Sequence, residues 1–218
     1  MAQSITRLSG ANALSGTLPS SVIANSTFDN ITALPTAVPT GKPILLSTAT
    51  ASSSASIEFT SGIDSTYDIY QFEFNSIHPA SDGQNFTFQA DTGTNTNYNQ
   101  TMTTTFFRSY HYEDDSTSGL GYLTSGDQAQ GTSFQRLAQS GNGNDECVAG
   151  TLQIFNPSSS TFVKHFIATM NEYHGSNISQ NNFIAGYFNT TTPITRVQFK
   201  FSSGNLDSGT IKMYGISA

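Results

Sequence analysis

The residues in this chain that could do chemistry are its carboxylates, and five of the fifteen fall into two sequence clusters. Glu113, Asp114 and Asp115 follow an aromatic segment, and Asp145 and Glu146 follow a Gly-rich turn. Paired carboxylates hydrolyse glycosidic bonds, and carboxylate oxygens are the ligands that calcium prefers. Neither spacing has the alternating ligands of a calcium loop. We therefore expect solvated loop acids in both clusters.

The other reactive side chains are isolated from one another in the sequence. His78, His111, His165 and His174 do not form a pair at metal-ligand spacing, and Cys147 has no second cysteine with which to form a disulfide. A lone cysteine most often behaves as a small hydrophobic residue. The sequence therefore predicts no catalytic residue, no metal and no cofactor, which makes the chain a non-enzymatic protein.

The charge of the chain excludes some classes of partner. Only 11 % of the residues are charged, the formal net charge is −7, and the lysines and arginines are scattered singly. Nucleic-acid binding needs grouped cations, and a membrane span needs about 20 consecutive apolar residues. We expect neither nucleic-acid binding nor membrane insertion. A polar surface with few charges is suited to packing against copies of itself, because buried charges are costly.

The segments that must position these residues are predicted to be β-strands. Short segments rich in Phe, Tyr, Thr and Ile alternate in polarity and are separated by turn residues, which is typical of antiparallel sheets. About nine strands are predicted: Ser56–Thr60, Tyr67–Phe74, Gln84–Ala90, Thr103–Tyr112, Cys147–Phe155, Thr161–Tyr173, Asn182–Asn189, Ile194–Phe201 and Gly209–Ile216. One helical segment is predicted in this region, at Ser133–Gln139. Two long polar connections, Asp91–Gln100 and Glu113–Asp145, separate strands.

A turn motif occurs twice in the chain. Phe59–Ser65 and Phe201–Ser208 each end a strand, turn at a Ser-Gly pair and lead through an Asp-Ser step into another strand. Glycine supplies the backbone freedom of such a turn, and Asp and Ser can bond to the local backbone. We expect the two copies to be corresponding corners of one sandwich. The predicted fold is an all-β, antiparallel β-sandwich that is jelly-roll-like.

The first 43 residues differ from the rest and predict an extended N-terminal arm. This segment contains four prolines, which disfavour sheet pairing, and its aliphatic residues recur along its length. We divide the chain into an anchoring arm at residues 1–43 and a β-sandwich domain at residues 44–218. The arm residues expected to contact neighbouring subunits are Leu14, Leu18, Val22, Ile23, Phe28, Ile31, Leu34 and Val38.

Three further segments of the chain are distinctive: Leu45–Ile63, Phe155–His165 and Phe199–Ile216. They resemble structural proteins of tailed bacteriophages, particularly those of marine and cyanobacterial hosts, and the similarity extends over about residues 44–218. The resemblance implies a virion component that presents a β-sandwich as an oligomer, of the tail-fibre or decoration type. The matching motifs are turns and strands, so the resemblance implies no active site.

Together these observations predict a virion structural protein that is assembled in the host cytoplasm. We expect a homo-oligomer, with a trimer favoured, that contacts other virion proteins and takes part in host attachment through the tail. The alternative is a capsid decoration protein that stabilises the head. A third hypothesis is a module that binds a host-surface glycan through Tyr98, Tyr112, Tyr122 and Tyr173. A carbohydrate-cleaving enzyme would require Glu113, Asp114 or Asp145 to face another carboxylate.

Overall fold

The computed structural model describes residues 43–216, and within this range the chain forms twelve strands and no helix. The strands are β1 (Ile44–Thr50), β2 (Ile57–Phe59), β3 (Ile69–Pro79), β4 (Gln84–Thr92), β5 (Met102–Tyr112), β6 (Ser118–Tyr122), β7 (Gln135–Ser140), β8 (Val148–Phe155), β9 (Lys164–His174), β10 (Ile178–Phe188), β11 (Ile194–Phe201) and β12 (Leu206–Ile216). All their pairings are antiparallel. The predicted all-β antiparallel sandwich is confirmed. The predicted arm, with its contact residues Leu14 to Val38, lies outside the described residues.

The strands form a jelly roll whose larger sheet has been extended. The large sheet has the order β1-β12-β3-β8-β9-β10-β5-β6, and the small sheet has the order β2-β11-β4-β7. The first four strands of the large sheet and the four of the small sheet have the connectivity of a double Greek key, the pattern of a jelly roll. The other four strands, β9, β10, β5 and β6, continue the large sheet beyond β8. We call these four strands the extension.

The extension is built from two insertions that come from different parts of the chain. β5 and β6 lie between β4 and β7 in sequence and pair with each other, and β9 and β10 form a second pair between β8 and β11. The two pairs join where β10 lies beside β5, in unbroken register from Ile178 opposite Tyr112 to Phe188 opposite Met102. One continuous face therefore spans residues far apart in sequence.

Aromatic side chains hold the two sheets together. Phe199 of β11 is fully buried, and its ring centroid lies 5.2 Å from those of both Phe72 and Phe74 in the large sheet. Phe59 and Phe86 of the small sheet lie 6.2 Å and 6.1 Å from it. Buried aromatic rings contribute large apolar areas and favourable edge-to-face contacts. The alternation of Val197, Phe199 and Phe201 with polar residues therefore places the core face of β11 as the sequence predicts.

The repeated turn motif marks two equivalent corners, as predicted. The first copy carries the chain from β2 in the small sheet to β3 in the large sheet, and the second carries it from β11 to β12 in the same direction. Gly62 (φ 82°) and Gly204 (φ 73°) occupy the turns with the positive φ that favours glycine. Because β2 and β11 are antiparallel neighbours in the small sheet, the two corners lie at opposite ends of this strand pair.

One predicted element is wrong, and three strands were not predicted. The predicted helix Ser133–Gln139 is largely strand β7, which pairs with β4 at the edge of the small sheet. Its Gln, Arg, Leu and Ala residues favour a helix in isolation, but sheet pairing and burial of Leu137 and Ala138 override that preference. β7 and β6 both lie inside the predicted connection Glu113–Asp145, and β1 is the third strand that was not predicted.

Candidate functional site

The outward side of the extension lacks acidic, lysine and arginine side chains. We call the outward side chains of β6, β5, β10 and β9, with those of the neighbouring β8, the extension face. Its members are the residues that alternate along each strand with the buried core residues and point to the other side of the sheet. None of them is Asp, Glu, Lys or Arg. They are Ser118, Leu120, Tyr122, Thr103, Thr105, Phe107, Ser109, His111, Ser179, Asn181, Phe183, Ala185, Tyr187, His165, Ile167, Thr169, Asn171, Tyr173, Ala149, Thr151, Gln153 and Phe155.

Large apolar side chains are exposed across the extension face. Phe107 and Phe183 lie directly opposite each other on β5 and β10, and their rings stack at 4.8 Å and 11°. Tyr122 lies opposite Phe107 on the other side and is 54 % exposed. Leu120 is 74 % exposed and Ile167 is 51 % exposed. Solvated faces of antiparallel sheets are ordinarily polar, so an apolar face of this kind indicates a surface that another molecule covers.

A shallow groove crosses the same face beside this aromatic stack. It has a volume of about 430 Å³, and its floor lies at Ala185 and Gly186, which have little or no side chain to fill it. Ile167 stands on one side, and on the other the rings of His165 and Tyr187 meet edge to face at 6.0 Å. The extension face is therefore contoured, with an apolar depression next to an apolar ridge.

Charged side chains return on the outward side of the jelly-roll part of the same sheet. Glu73 of β3 lies opposite Lys212 of β12, and the Glu73 carboxylate accepts a 2.9 Å hydrogen bond from the Tyr214 hydroxyl. At the other edge of the sheet, the Asp127 carboxylate accepts a hydrogen bond from the Tyr122 hydroxyl at 2.6 Å. The extension face is thus an uncharged area with charged groups at its borders, the arrangement of a core and rim in protein interfaces.

The inward side of the extension carries a buried polar network centred on Glu172. This glutamate is 1 % exposed, and its carboxylate accepts hydrogen bonds from the Gln180 amide (2.6 Å), the Asn182 amide (2.7 Å) and the Gln139 backbone N–H (2.6 Å). Gln180 and Asn182 belong to β10, whereas Gln139 belongs to β7. Glu172 therefore ties the large sheet to the edge of the small sheet, at the place where the small sheet ends.

The network extends to two arginines. Arg108 donates a 2.6 Å hydrogen bond to the Gln180 side-chain oxygen and lies over the Tyr110 ring at 5.3 Å. Arg136 lies over the Phe106 ring at 5.7 Å. Burial raises the pKa of Glu172 to about 7, although the hydrogen bond from Gln139 and the charge of Arg136 act in the opposite direction. Burial also lowers the pKa of Arg136. Arg136 also donates a 3.3 Å hydrogen bond to the Gln139 side-chain oxygen, while its buried Nε has no hydrogen-bond partner. Side-chain hydrogen bonds therefore link these groups into a structural polar network.

The two acidic clusters predicted from the sequence approach each other at one end of the extension. The Glu113, Asp145 and Glu146 carboxylates all act on the Tyr173 hydroxyl, and its desolvation together with these charges raises the pKa of Tyr173. Glu146 accepts a 2.7 Å hydrogen bond from the Gly143 backbone N–H. Asp114 caps its own turn by accepting from the Ser116 N–H at 3.0 Å. No group of three potential metal ligands comes together among residues 43–216.

The four tyrosines of the glycan hypothesis lie in different surroundings. Tyr98 is only 4 % exposed and donates a 2.9 Å hydrogen bond to Glu58, so its ring is not available for stacking on a ligand. Its burial, which was not expected for a loop tyrosine, follows from the loop folding back onto β2 and β4. Tyr112 is half-buried on the inward side of β5, and Tyr173 is half-buried on the outward side of β9. Tyr122 is the one of the four whose ring is largely exposed, so the structure does not bring the set together.

The sequence contained signals for features that its interpretation missed. Glu172 lies on the same inward side of β9 as Phe166, Ala168 and Met170, so the alternation of residues along this strand is enough to mark it as a buried acid. The extension face carried no comparable signal, because its continuity depends on β10 pairing with β5 across a gap of more than 60 residues. Residues 43–216 contain no helix that could cross a bilayer. Comparison of the chain with protein-family models, with curated proteins and with solved structures gives no significant match.

Proposed function

We propose that this chain is a non-enzymatic structural protein of a tailed-phage virion. In this proposal the β-sandwich is an exposed module that forms a homo-oligomer, with three copies favoured, and that residues 1–43 anchor to the particle. The virion assignment rests on the resemblance of the three sequence segments described above. The observation that carries the structural role is the extension face, whose apolar and hydroxyl-bearing side chains fit a protein partner.

The chemistry of the described residues supports a structural role over a catalytic one. The most perturbed carboxylate, Glu172, is enclosed by hydrogen-bond donors from three residues and is out of contact with solvent. A general acid or base must be within reach of its substrate. Near Tyr173, Glu113 and Asp145 are exposed, and Glu146 accepts a hydrogen bond from the Gly143 backbone N–H of its own turn. The jelly roll itself is a scaffold for many functions and does not select among them.

The proposal is tested on particles purified from the infected culture that produces this chain. Mass spectrometry of the particles is expected to detect the chain, and cryo-electron microscopy is expected to contain density that fits residues 43–216. Density on the tail supports host attachment, whereas density on the capsid surface makes the chain a decoration protein of the head. Absence of the chain from particles that infect normally contradicts the proposal.

A further inference from the structure

We propose that copies of this chain pack on one another through the extension face. The inference deepens the proposed function, on which its biological meaning rests, by naming the partner and the surface. It requires that the surface be large enough, compatible with a copy of itself, and distinct from the rest of the molecule. The described residues meet each requirement.

The size of the extension face is that of a stable protein interface. Strands lie about 4.8 Å apart and rise about 3.4 Å per residue, so five strands of up to 11 residues cover roughly 700 Å² once the shorter β6 and β8 are allowed for. A standard interface buries about 800 Å² on each partner. Its centre carries Phe107, Phe183 and Ile167, the aromatic and aliphatic types that anchor interfaces.

The charge distribution favours a second copy as the occupant. The net charge of −7 makes two copies repel each other over most of their surfaces. The extension face is the broad area where they can meet without burying a carboxylate or an ammonium group. A strongly basic partner would be expected to find acidic side chains on this face, and it finds none on the outward positions of these strands. Threonine and serine hydroxyls can act as donor or acceptor, so those of one copy can pair with those of another in a dimer or in a trimer.

The N-terminal part of the same copy is a less suitable occupant. The described chain begins at the far edge of the large sheet, in β1, and β12 and β3 separate β1 from β8. That strip carries Glu73 and Lys212 on its outward side. This charged strip separates the start of the described chain from the extension face, whereas a second copy can approach that face directly.

The test is the mass of the full-length chain in solution, measured by sedimentation over a range of concentrations. The wild type is expected to form an oligomer, and a mass of three chains of 23.3 kDa would also match the favoured trimer. Thr105→Glu places one carboxylate at the centre of the face on each copy. Burying an unpaired charge is expected to raise the dissociation constant by about a hundredfold or more. Ile167→Glu should act in the same way.

Thr48→Glu is the matched control. Thr48 is an exposed threonine on the outward side of the same sheet, but it lies on β1, opposite Lys212 and outside the extension face. Its substitution is expected to leave the oligomer intact, and the thermal melt of each variant verifies that it folds. A monomeric wild type overturns the proposal, as does an oligomer that Thr105→Glu and Ile167→Glu leave unchanged.

A third result would identify the other occupant. If the wild type is monomeric and Thr105→Glu lowers its melting temperature while Thr48→Glu does not, the N-terminal residues of the same copy cover the face, and the proposal is overturned. Purified chain is used throughout, so the result does not depend on whether the protein is found in virions. Failure of this inference and failure of the proposed function are therefore separate observations.

Discussion

At the scale of single residues, Glu172 is the most unusual side chain of the described structure. A buried carboxylate is costly unless hydrogen bonds satisfy it, and here donors from β7 and β10 do so. Burial still raises its pKa to about 7. Since the folded protein holds this proton more tightly than the unfolded chain does, the contribution of Glu172 to stability is greatest below about pH 4.5 and is lost as the pH rises to about 7.

Replacing Glu172 by glutamine tests this dependence. The glutamine side chain cannot ionise, so the variant lacks this pH dependence. Between pH 4.5 and pH 8 the unfolding free energy of the wild type is therefore expected to fall by about 3 kcal/mol relative to that of Glu172→Gln. Denaturant unfolding at several pH values measures it. A difference that stays constant across this range would show that Glu172 keeps the same charge in both states.

Tyr98 gives a second prediction at this scale, because its role is structural. Its hydroxyl donates a part-buried hydrogen bond to Glu58, and burial raises the pKa of Tyr98 to about 12. Tyr98→Phe removes this hydrogen bond to a carboxylate and is expected to cost about 1.5 kcal/mol of unfolding free energy. Tyr122→Phe is the control, since its bond to Asp127 is exposed to solvent; we expect it to leave the unfolding free energy nearly unchanged. Equal losses in both variants would contradict this assignment.

At the scale of elements, irregularities in β12 and β3 shape the large sheet. The register of β12 on β3 shifts between Ser208 and Thr210, and that of β3 on β8 shifts between Phe74 and Ile77. Such bulges bend a strand and increase its twist. Gly209 (φ 116°) lies at the first shift, where a Cβ atom would be 2.6 Å from the Ser76 carbonyl oxygen and 2.8 Å from Ile77 Cα.

Gly209→Ala is therefore expected to be strongly destabilising. The added methyl group meets backbone atoms that cannot move aside, and the positive φ is itself strained for alanine, so we expect a loss of about 3 kcal/mol or more. Thermal unfolding followed by circular dichroism measures it. Gly121→Ala in β6 is the control, because a Cβ there meets nothing within 4 Å. If both variants have the same melting temperature as the wild type, the bulge does not require glycine.

Local sequence pattern predicted most elements, because polar and apolar residues alternate clearly along a strand that has one solvent-exposed face and one buried face. Ile194–Phe201 was predicted with both ends correct, and β5 and β8 within one residue. β7 was missed because its residue types favour a helix and only its pairing with β4 makes it a strand. β6 was missed because Gly119 and Gly121 interrupt any pattern. Elements at sheet edges depend on their partners, which local sequence does not reveal.

At the scale of the whole molecule, one aromatic cluster joins the two sheets. Phe199 contacts rings from both, so Phe199→Ala would leave a cavity in the middle of the sandwich, and we expect a loss of about 4 kcal/mol of unfolding free energy. Denaturant unfolding measures it. Phe162→Ala removes a phenylalanine that is 69 % exposed and is expected to change stability by less than about 0.5 kcal/mol. A small effect at Phe199 would mean that the sheets are held together elsewhere.

The whole-molecule arrangement also determines how much of the candidate surface the sequence could reveal. Alternation places Phe107 and Ile167 outward on their own strands, but it does not say that the two strands share a sheet. Their proximity results from the pairing of β5 with β10 and of β10 with β9. The sequence pattern indicates that Glu172 points inward. Its donor Gln139, however, lies in β7, which was predicted to be a helix. Long-range pairing, more than local preference, created the surface.

The uncharged extension face has a consequence for the response of the protein to salt. Dissolved ions weaken interactions between charges over a distance of about 8 Å at physiological ionic strength. The ion pair of His111 with Asp115 at the border of this face is exposed to solvent, so its weakening costs little. The repulsion between chains of net charge −7 is what added salt reduces. An assembly held together by this face would therefore persist, and become tighter, from dilute buffer to concentrated brine.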